Sequence, residues 1–179
     1  MKTETLMWLF PAVFMLHEFE EIIFIKPWIM KNGAFLRARF PRAASRVLPR
    51  LEGLSTSSFA LAVAEEFTVL SVVTFISVEY GLYSFFTGVV IAYAVHLAVH
   101  LAQFLLLGRY IPAVVTSLLT GVYCAYAVYF LFNSRLAQPG EAALWAAVSL
   151  AFIALNLAFC HYIASLFERK YLRPPVKGA

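Results

Sequence analysis

The residues in this sequence that are best suited to chemistry are histidines and glutamates inside long apolar stretches. All ten acidic residues are glutamates, and the chain has four histidines. The groups that fall inside apolar stretches are His17, His96, His100, His161, Glu18, Glu20, Glu21, Glu65 and Glu66. No Lys or Arg lies in these stretches. Because ionisable groups are costly in a hydrocarbon medium, we expect these to bind a metal ion or to relay protons.

Three polar residues of the first apolar stretch share one helix face. His17, Glu20 and Glu21 are spaced i, i+3 and i+4, which places them side by side on a helix. Imidazole and carboxylate are ligands of divalent metals, so this face is a candidate ligand set. Glu18 points away from that face, and we expect it to support a ligating histidine from behind.

A second polar stripe lies on the third apolar stretch. Tyr93, His96, His100 and Gln103 are spaced i, i+3, i+7 and i+10, so they line one side of a helix. Histidines at i and i+4 present two imidazoles to one metal ion. We expect His96 and His100 to be ligands, and Tyr93 and Gln103 to support or pack against them.

Two further stretches contribute polar groups at a similar depth, counted at about 1.5 Å per residue from the predicted inner ends of the helices. Glu65 and Glu66 are adjacent, so we expect one to face the centre and the other to support it, and we assign Glu65 as a metal ligand. Asn156 and His161 are about 140° apart around a helix, so both cannot face one centre. We rank His161 as the ligand and Asn156 as a supporting residue.

The elements that must position these groups are predicted to be membrane-spanning helices. Of the 179 residues, 62% are hydrophobic and 13% are charged, more apolar and less charged than a soluble domain of this size. About 20 apolar residues suffice to span a bilayer. Five stretches qualify, at about 6–25, 54–78, 82–107, 110–132 and 142–167. We therefore predict an all-α membrane bundle of five transmembrane helices, forming one domain over residues 1–179.

The basic residues predict the orientation of the bundle. The connection between the first two spans holds seven of them: Lys26, Lys31, Arg37, Arg39, Arg42, Arg46 and Arg50. Cytoplasmic connections collect Lys and Arg, which predicts an outer N-terminus and an inner C-terminus, with Arg173 and Lys177 also inside. Apolar residues alternate with these cations, so we expect amphipathic pieces on the inner leaflet, limited by Pro41 and Pro49. Orientation and anionic lipid explain the basic charge, and no nucleic-acid partner is needed.

The segment Leu16-His17-Glu18-Phe19-Glu20-Glu21 resembles the motif that gives the HXXEE family of small integral membrane proteins its name. The resemblance extends over nearly the whole chain. Glu65 and Glu66, His96 and His100, and Asn156 and His161 look like companion positions. The resemblance implies an enzymatic role without an assigned reaction.

These residues predict an integral membrane metalloenzyme, in the inner membrane, with its site in the cytoplasmic half of the bilayer. The nitrogen and oxygen donors favour zinc or iron, as one ion or two. We expect a lipid or another hydrophobic molecule as substrate, with hydrolysis slightly preferred over oxidation and Glu20 or Glu66 as general base. The alternatives are a proton- or metal-coupled transporter that uses the same groups as a relay, and a scaffold with a structural polar core. The sequence leaves a homo-oligomer open.

Overall fold

A computed structural model describes residues 2–172 of the chain. The helices are α1 (Thr3–Arg39), α2 (Pro41–Gly53), α3 (Thr56–Glu79), α4 (Tyr83–Leu107), α5 (Val114–Asn133) and α6 (Pro139–Phe167), and a short π-helical segment, Glu168–Leu172, extends α6. No strand occurs in this part of the chain, so the all-α prediction is confirmed. Arg173 and Lys177, on which the predicted orientation partly depends, lie outside the described residues.

Four helices within residues 2–172 are long and apolar enough to cross a membrane: α3, α4, α5, and α6 with its extension. These properties indicate an integral membrane protein. The prediction of five spans is wrong for the first one, residues 6–25. That stretch is helical, but Glu18, Glu20 and Glu21 interrupt its apolar sequence, so its composition does not mark it as a span.

One face of the first half of α1 is buried in the bundle, packed against α3 and α5. Leu6, Met7 and Phe10 on this face are completely buried in the hydrophobic core. The Phe10 ring contacts the rings of Phe86 and Tyr93 on α4, with centroids 5.6 and 5.4 Å apart. The polar side chains of the buried face therefore meet protein groups, while the opposite face of α1 is exposed and apolar.

Gly88 brings α4 and α6 into close contact. A Cβ atom at this position would lie 2.5 Å from the Trp145 Cβ and 2.8 Å from the Ala146 nitrogen. Small residues allow helix backbones in membranes to approach closely, and dispersion contacts then hold the helices together. This contact positions α4, the helix that carries His96 and His100.

The predicted basic loop is a helical hairpin, formed by the second half of α1 and by α2. Helix α1 continues through Pro27, and Pro41 begins α2 at a position where proline is favoured. Ala44 and Leu48 of α2 pack against Ile29 of α1. The hairpin is joined to the start of α3 because the Lys26 ammonium donates hydrogen bonds to the carbonyls of Glu52 and Leu54.

Candidate metal centre

Three histidines from α1 and α4 converge on one point. His17, His96 and His100 each offer a ring nitrogen, and these nitrogens lie within 4.8 Å of one another. The Nε2 atoms of His96 and His100 are 3.1 Å apart. Two imidazole nitrogens on one zinc ion, each bound at 2.0–2.1 Å, lie about 3.3 Å apart in tetrahedral geometry. The three imidazoles are therefore placed to hold a metal ion, and we call them the three-histidine cluster.

Aromatic side chains fix the distance between α1 and α4 next to the cluster. The Phe14 ring lies 6.0 Å from the Tyr93 ring, and the His17 ring lies 5.9 Å from it. Tyr93 is almost fully buried and also stacks on His96, with ring centroids 6.2 Å apart. The predicted supporting position of Tyr93 thus agrees with its contacts, which hold the two imidazoles from opposite helices at a constant separation.

His17 is the most enclosed member of the cluster. Its side chain is 0% exposed, and its Nε2 atom has no hydrogen-bond partner within residues 2–172. A buried polar nitrogen without a partner costs about 1–3 kcal/mol, so such atoms are rare. Its other ring nitrogen, Nδ1, lies 3.3 Å from the Thr116 hydroxyl. A metal ion bound to His17 Nε2 would therefore give this nitrogen the partner that it lacks.

Glu20 and Thr116 determine which nitrogen of His17 carries the proton. The Thr116 hydroxyl donates to Glu20 Oε2 at 2.6 Å, which commits its hydrogen to the carboxylate. The hydroxyl oxygen can then only accept at His17, so His17 Nδ1 carries the hydrogen and Nε2 carries the free lone pair. A buried carboxylate that orients a ligating histidine in this way is a common feature of metal sites.

The prediction that Glu20 acts as general base does not agree with its position. Glu20 Oε2 also accepts from the Thr116 backbone N–H at 2.8 Å, and Oε1 accepts from the Tyr110 hydroxyl at 2.6 Å. Both carboxylate oxygens are occupied, and Glu20 caps the N-terminus of α5, which has no side-chain cap of its own. Desolvation, together with the hydrogen bond to Glu20, raises the pKa of Tyr110, so its hydroxyl keeps the proton that it donates. Glu20 is a positioning residue.

Glu21 is the carboxylate on the open side of the cluster. Its Oε1 atom lies 3.3 Å from His100 Nε2, and its side chain is 16% exposed. Glu66 of α3 and the buried Glu18 are its electrostatic neighbours. Glu21 is therefore within reach of a metal ion held by the three-histidine cluster. This position is compatible with the predicted role of Glu21 as a ligand.

Helix α6 contacts Glu65, the other glutamate of α3. Within residues 2–172, no side chain of α6 belongs to the three-histidine cluster. Glu65 Oε2 accepts from Asn156 Nδ2 at 3.0 Å and lies 2.9 Å from the Cys160 Sγ atom, a donor that the sequence analysis missed. His161, which was predicted as a ligand, has an exposed side chain and lies outside the ligand group found within residues 2–172, so its role as a ligand stays a prediction. Cys160 is the residue at i+4 from Asn156, so it shares the inward face that His161 cannot share. Glu65 likewise faces α6, where it bonds to other side chains.

A groove opens next to the cluster between α1, α2 and α4. It has a volume of about 410 Å³, and Glu21 and His100 line its inner end beside the exposed Gln103. Its other lining residues are mostly apolar: Ile25, Trp28, Ile29, Leu36, Phe40, Ala43, Ala44, Val47, Leu48, Leu51, Leu106, Leu107, Ile111 and Pro112. We call it the hairpin groove. It gives a hydrophobic molecule a route to the side of the cluster that Glu21 occupies.

The fold and the cluster define a helical membrane protein with three imidazoles placed to hold a metal ion. The chain belongs to the HXXEE family, because the family described as "Protein of unknown function with HXXEE motif" matches residues 8–128. The resemblance seen in the sequence is thereby confirmed. The matched range contains all three histidines of the cluster and ends before Asn156. No curated protein and no solved structure matches the chain.

Proposed function

We propose that this protein is a membrane metalloenzyme that hydrolyses a lipid or another hydrophobic substrate at a metal ion bound by His17, His96 and His100. The observation that carries the proposal is the fully buried His17 imidazole: one of its ring nitrogens lies within 4.8 Å of nitrogens of His96 and His100, and its Nε2 atom has no hydrogen-bond partner in the described part of the chain. Interhelical hydrogen bonds alone do not account for an imidazole whose inner nitrogen makes none.

The number of imidazoles supports a catalytic centre with zinc as the metal to test first. Three protein ligands leave the fourth tetrahedral position of zinc open for water or substrate. Zinc lowers the pKa of such a water to about 7, which produces a nucleophile at neutral pH. Glu21 would accept the proton of that water, because it lies beside His100 and none of the described residues donates another hydrogen bond to it. Iron fits the same donors and would support oxidation.

The hairpin groove supports a hydrophobic substrate. Its wall is mostly apolar, and its polar side chains are gathered at the end that adjoins His100. Binding sites for small molecules usually have this composition, with a few polar groups that fix the orientation of the reacting part. A substrate would enter laterally from the lipid or from the surface next to α2.

The test is hydrolysis of long-chain and short-chain fluorogenic esters by metal-free and zinc-loaded protein in mild detergent. We expect zinc-dependent hydrolysis that prefers the long chain. In the Glu21→Gln variant, kcat should fall about 10²–10⁴-fold while the metal content stays the same, because a general base contributes that much. Glu141→Gln, an exposed glutamate at the start of α6, is the matched control.

Two results would contradict the proposal. Hydrolysis that does not depend on the metal would place the reaction elsewhere in the chain. A fully zinc-loaded protein that hydrolyses none of the esters and instead carries protons or zinc across liposome membranes would favour the transporter predicted as the alternative.

A further inference from the structure

The hairpin groove is a formed feature of the fold, held open by contacts on its outer side. The Lys26 ammonium joins α1 to the end of α2, and Arg37 pairs with Glu52 at 2.7 Å. Leu48 is 2% exposed in the contact between the two helices. Val47, the preceding residue of α2, lines the groove and remains 51% exposed. The apolar wall therefore lacks a protein partner in the described part of the chain.

The hairpin that forms this wall carries a large positive charge. Seven basic residues lie in residues 26–53, against one acid, Glu52, which is paired. Arg42, Arg46 and Arg50 of α2 are exposed, and each directly precedes a residue that lines the groove. The Arg109 guanidinium lies over the Phe35 ring, 3.8 Å from its centroid, next to the α4–α5 connection. A ligand of the groove therefore meets cations where it leaves the apolar wall.

We infer that the hairpin groove binds an anionic membrane lipid, with one acyl chain along the apolar face of α2 and the head group among the arginines. The length of the groove agrees with such a chain. Glu21 and Leu36, which both line the groove, are separated by about 22 Å along α1, at 1.5 Å per residue, and one leaflet of the hydrocarbon core is about 15 Å thick. Juxtamembrane basic clusters attract anionic head groups electrostatically.

This inference names the substrate class of the proposed function, and to that extent the inference rests on the proposed function. The lining of the groove extends from His100 and Glu21 to Phe40 at the turn of the hairpin, where Arg39 and Arg42 lie on either side in the sequence. The group that reaches the metal is therefore distant from the negative charge of the substrate. The substrate class is an anionic amphiphile with its reactive group along, or at the far end of, an apolar chain.

The inference can be tested by fluorescence quenching, because Trp28 lines the groove. In a protein with Trp8→Phe and Trp145→Phe, Trp28 is the remaining tryptophan. Phosphatidylglycerol with brominated acyl chains is added to the protein in detergent micelles, in parallel with phosphatidylcholine that has the same chains. We expect saturable quenching by phosphatidylglycerol at concentrations at least tenfold below those that phosphatidylcholine requires.

Two variants separate the groove from general contact with lipid. Val47→Phe fills the groove and should weaken the quenching at least tenfold, whereas Val115→Phe, at an equally exposed valine of α5, should leave it unchanged. Replacing Arg42, Arg46 and Arg50 together by glutamine should remove the preference for phosphatidylglycerol. Equal quenching by both lipids, or quenching that never saturates, would overturn the inference.

Metal content measured on the same samples separates this inference from the proposed function. Saturable quenching in a protein that binds no metal would leave the lipid site intact and contradict the metalloenzyme. Full metal content together with quenching that Val47→Phe does not change would contradict the lipid site and leave the metal centre intact.

Discussion

Replacing Thr116 by valine should weaken metal binding without removing any ligand. The Thr116 hydroxyl links Glu20 to His17, donating to the carboxylate at 2.6 Å and lying 3.3 Å from His17 Nδ1. Valine has nearly the same shape and lacks the hydroxyl. In Thr116→Val, the Nδ1 hydrogen of His17 loses its acceptor, so nothing fixes the tautomer that presents Nε2 to the metal.

The expected loss of affinity follows from the kind of contact that is removed. Groups that orient a ligand from behind usually contribute 10–100-fold to metal affinity, which corresponds to about 1.4–2.7 kcal/mol. The helix should stay in place, because the Thr116 backbone N–H still bonds to Glu20 at 2.8 Å and the Tyr110 hydroxyl bonds at 2.6 Å. We therefore expect weaker metal binding with a small change in the stability of the metal-free protein.

Zinc affinity is measured by competition with a chromogenic chelator, and the thermal unfolding of the metal-free protein is measured in the same detergent. Thr87→Val is the matched control, because Thr87 is fully buried in α4 and its hydroxyl bonds only to the Tyr83 carbonyl of its own helix. Zinc binding by Thr116→Val that equals that of the wild type and of Thr87→Val would refute the role assigned to Glu20 and Thr116.

Two further predictions concern α4 and α6. Gly88→Ala should lower the free energy of unfolding by about 1–3 kcal/mol, because the added methyl would meet the Trp145 side chain and its backbone, whereas Gly121→Ala meets nothing within 4 Å and should be neutral or slightly stabilising. Thermal unfolding in one detergent compares the two variants, and equal effects would contradict the close α4–α6 contact. His161→Ala should retain the wild-type zinc content by elemental analysis, because His161 is exposed. Loss of the metal would instead support the prediction that His161 is a ligand.

The local spacing of residues was enough to predict the three-histidine cluster. The pairing of His96 with His100 follows from the helical repeat, and the match in depth to His17 follows from the rise per residue. Both are properties of single helices that the sequence determines. The membrane class and the helical fold follow in the same way from the length and composition of the apolar stretches.

The roles of the neighbouring residues depend on how the helices are rotated against one another, which the sequence does not specify. Glu20 and Glu21 are about 100° apart on α1, so a modest rotation decides which one meets α5 and which one faces the cluster. On α6, the same kind of rotation turns Cys160 inward and leaves His161 exposed. A cysteine in an apolar stretch gave no sign of a contact with Glu65.

The count of spans was wrong for a different reason. A helix with one face buried against other helices can carry Glu18 and Glu20 there, so apolar composition is a poor guide to α1. Pro41 and Pro49 were expected to limit the amphipathic pieces of the basic segment. Pro41 does begin α2, but α2 continues through Pro49, because one lost hydrogen bond is tolerated where Leu48 packs against α1.

The most direct test of the metal centre is elemental analysis of the untagged protein, purified in mild detergent without chelators, beside the double variant His17→Ala, His100→Ala. Circular dichroism and size-exclusion chromatography establish that both proteins are folded. We expect one zinc or iron ion per chain in the wild type and none in the folded variant. A wild-type protein that holds no metal even after loading with zinc and iron, or a variant that retains the wild-type metal content, would contradict the three-histidine metal centre.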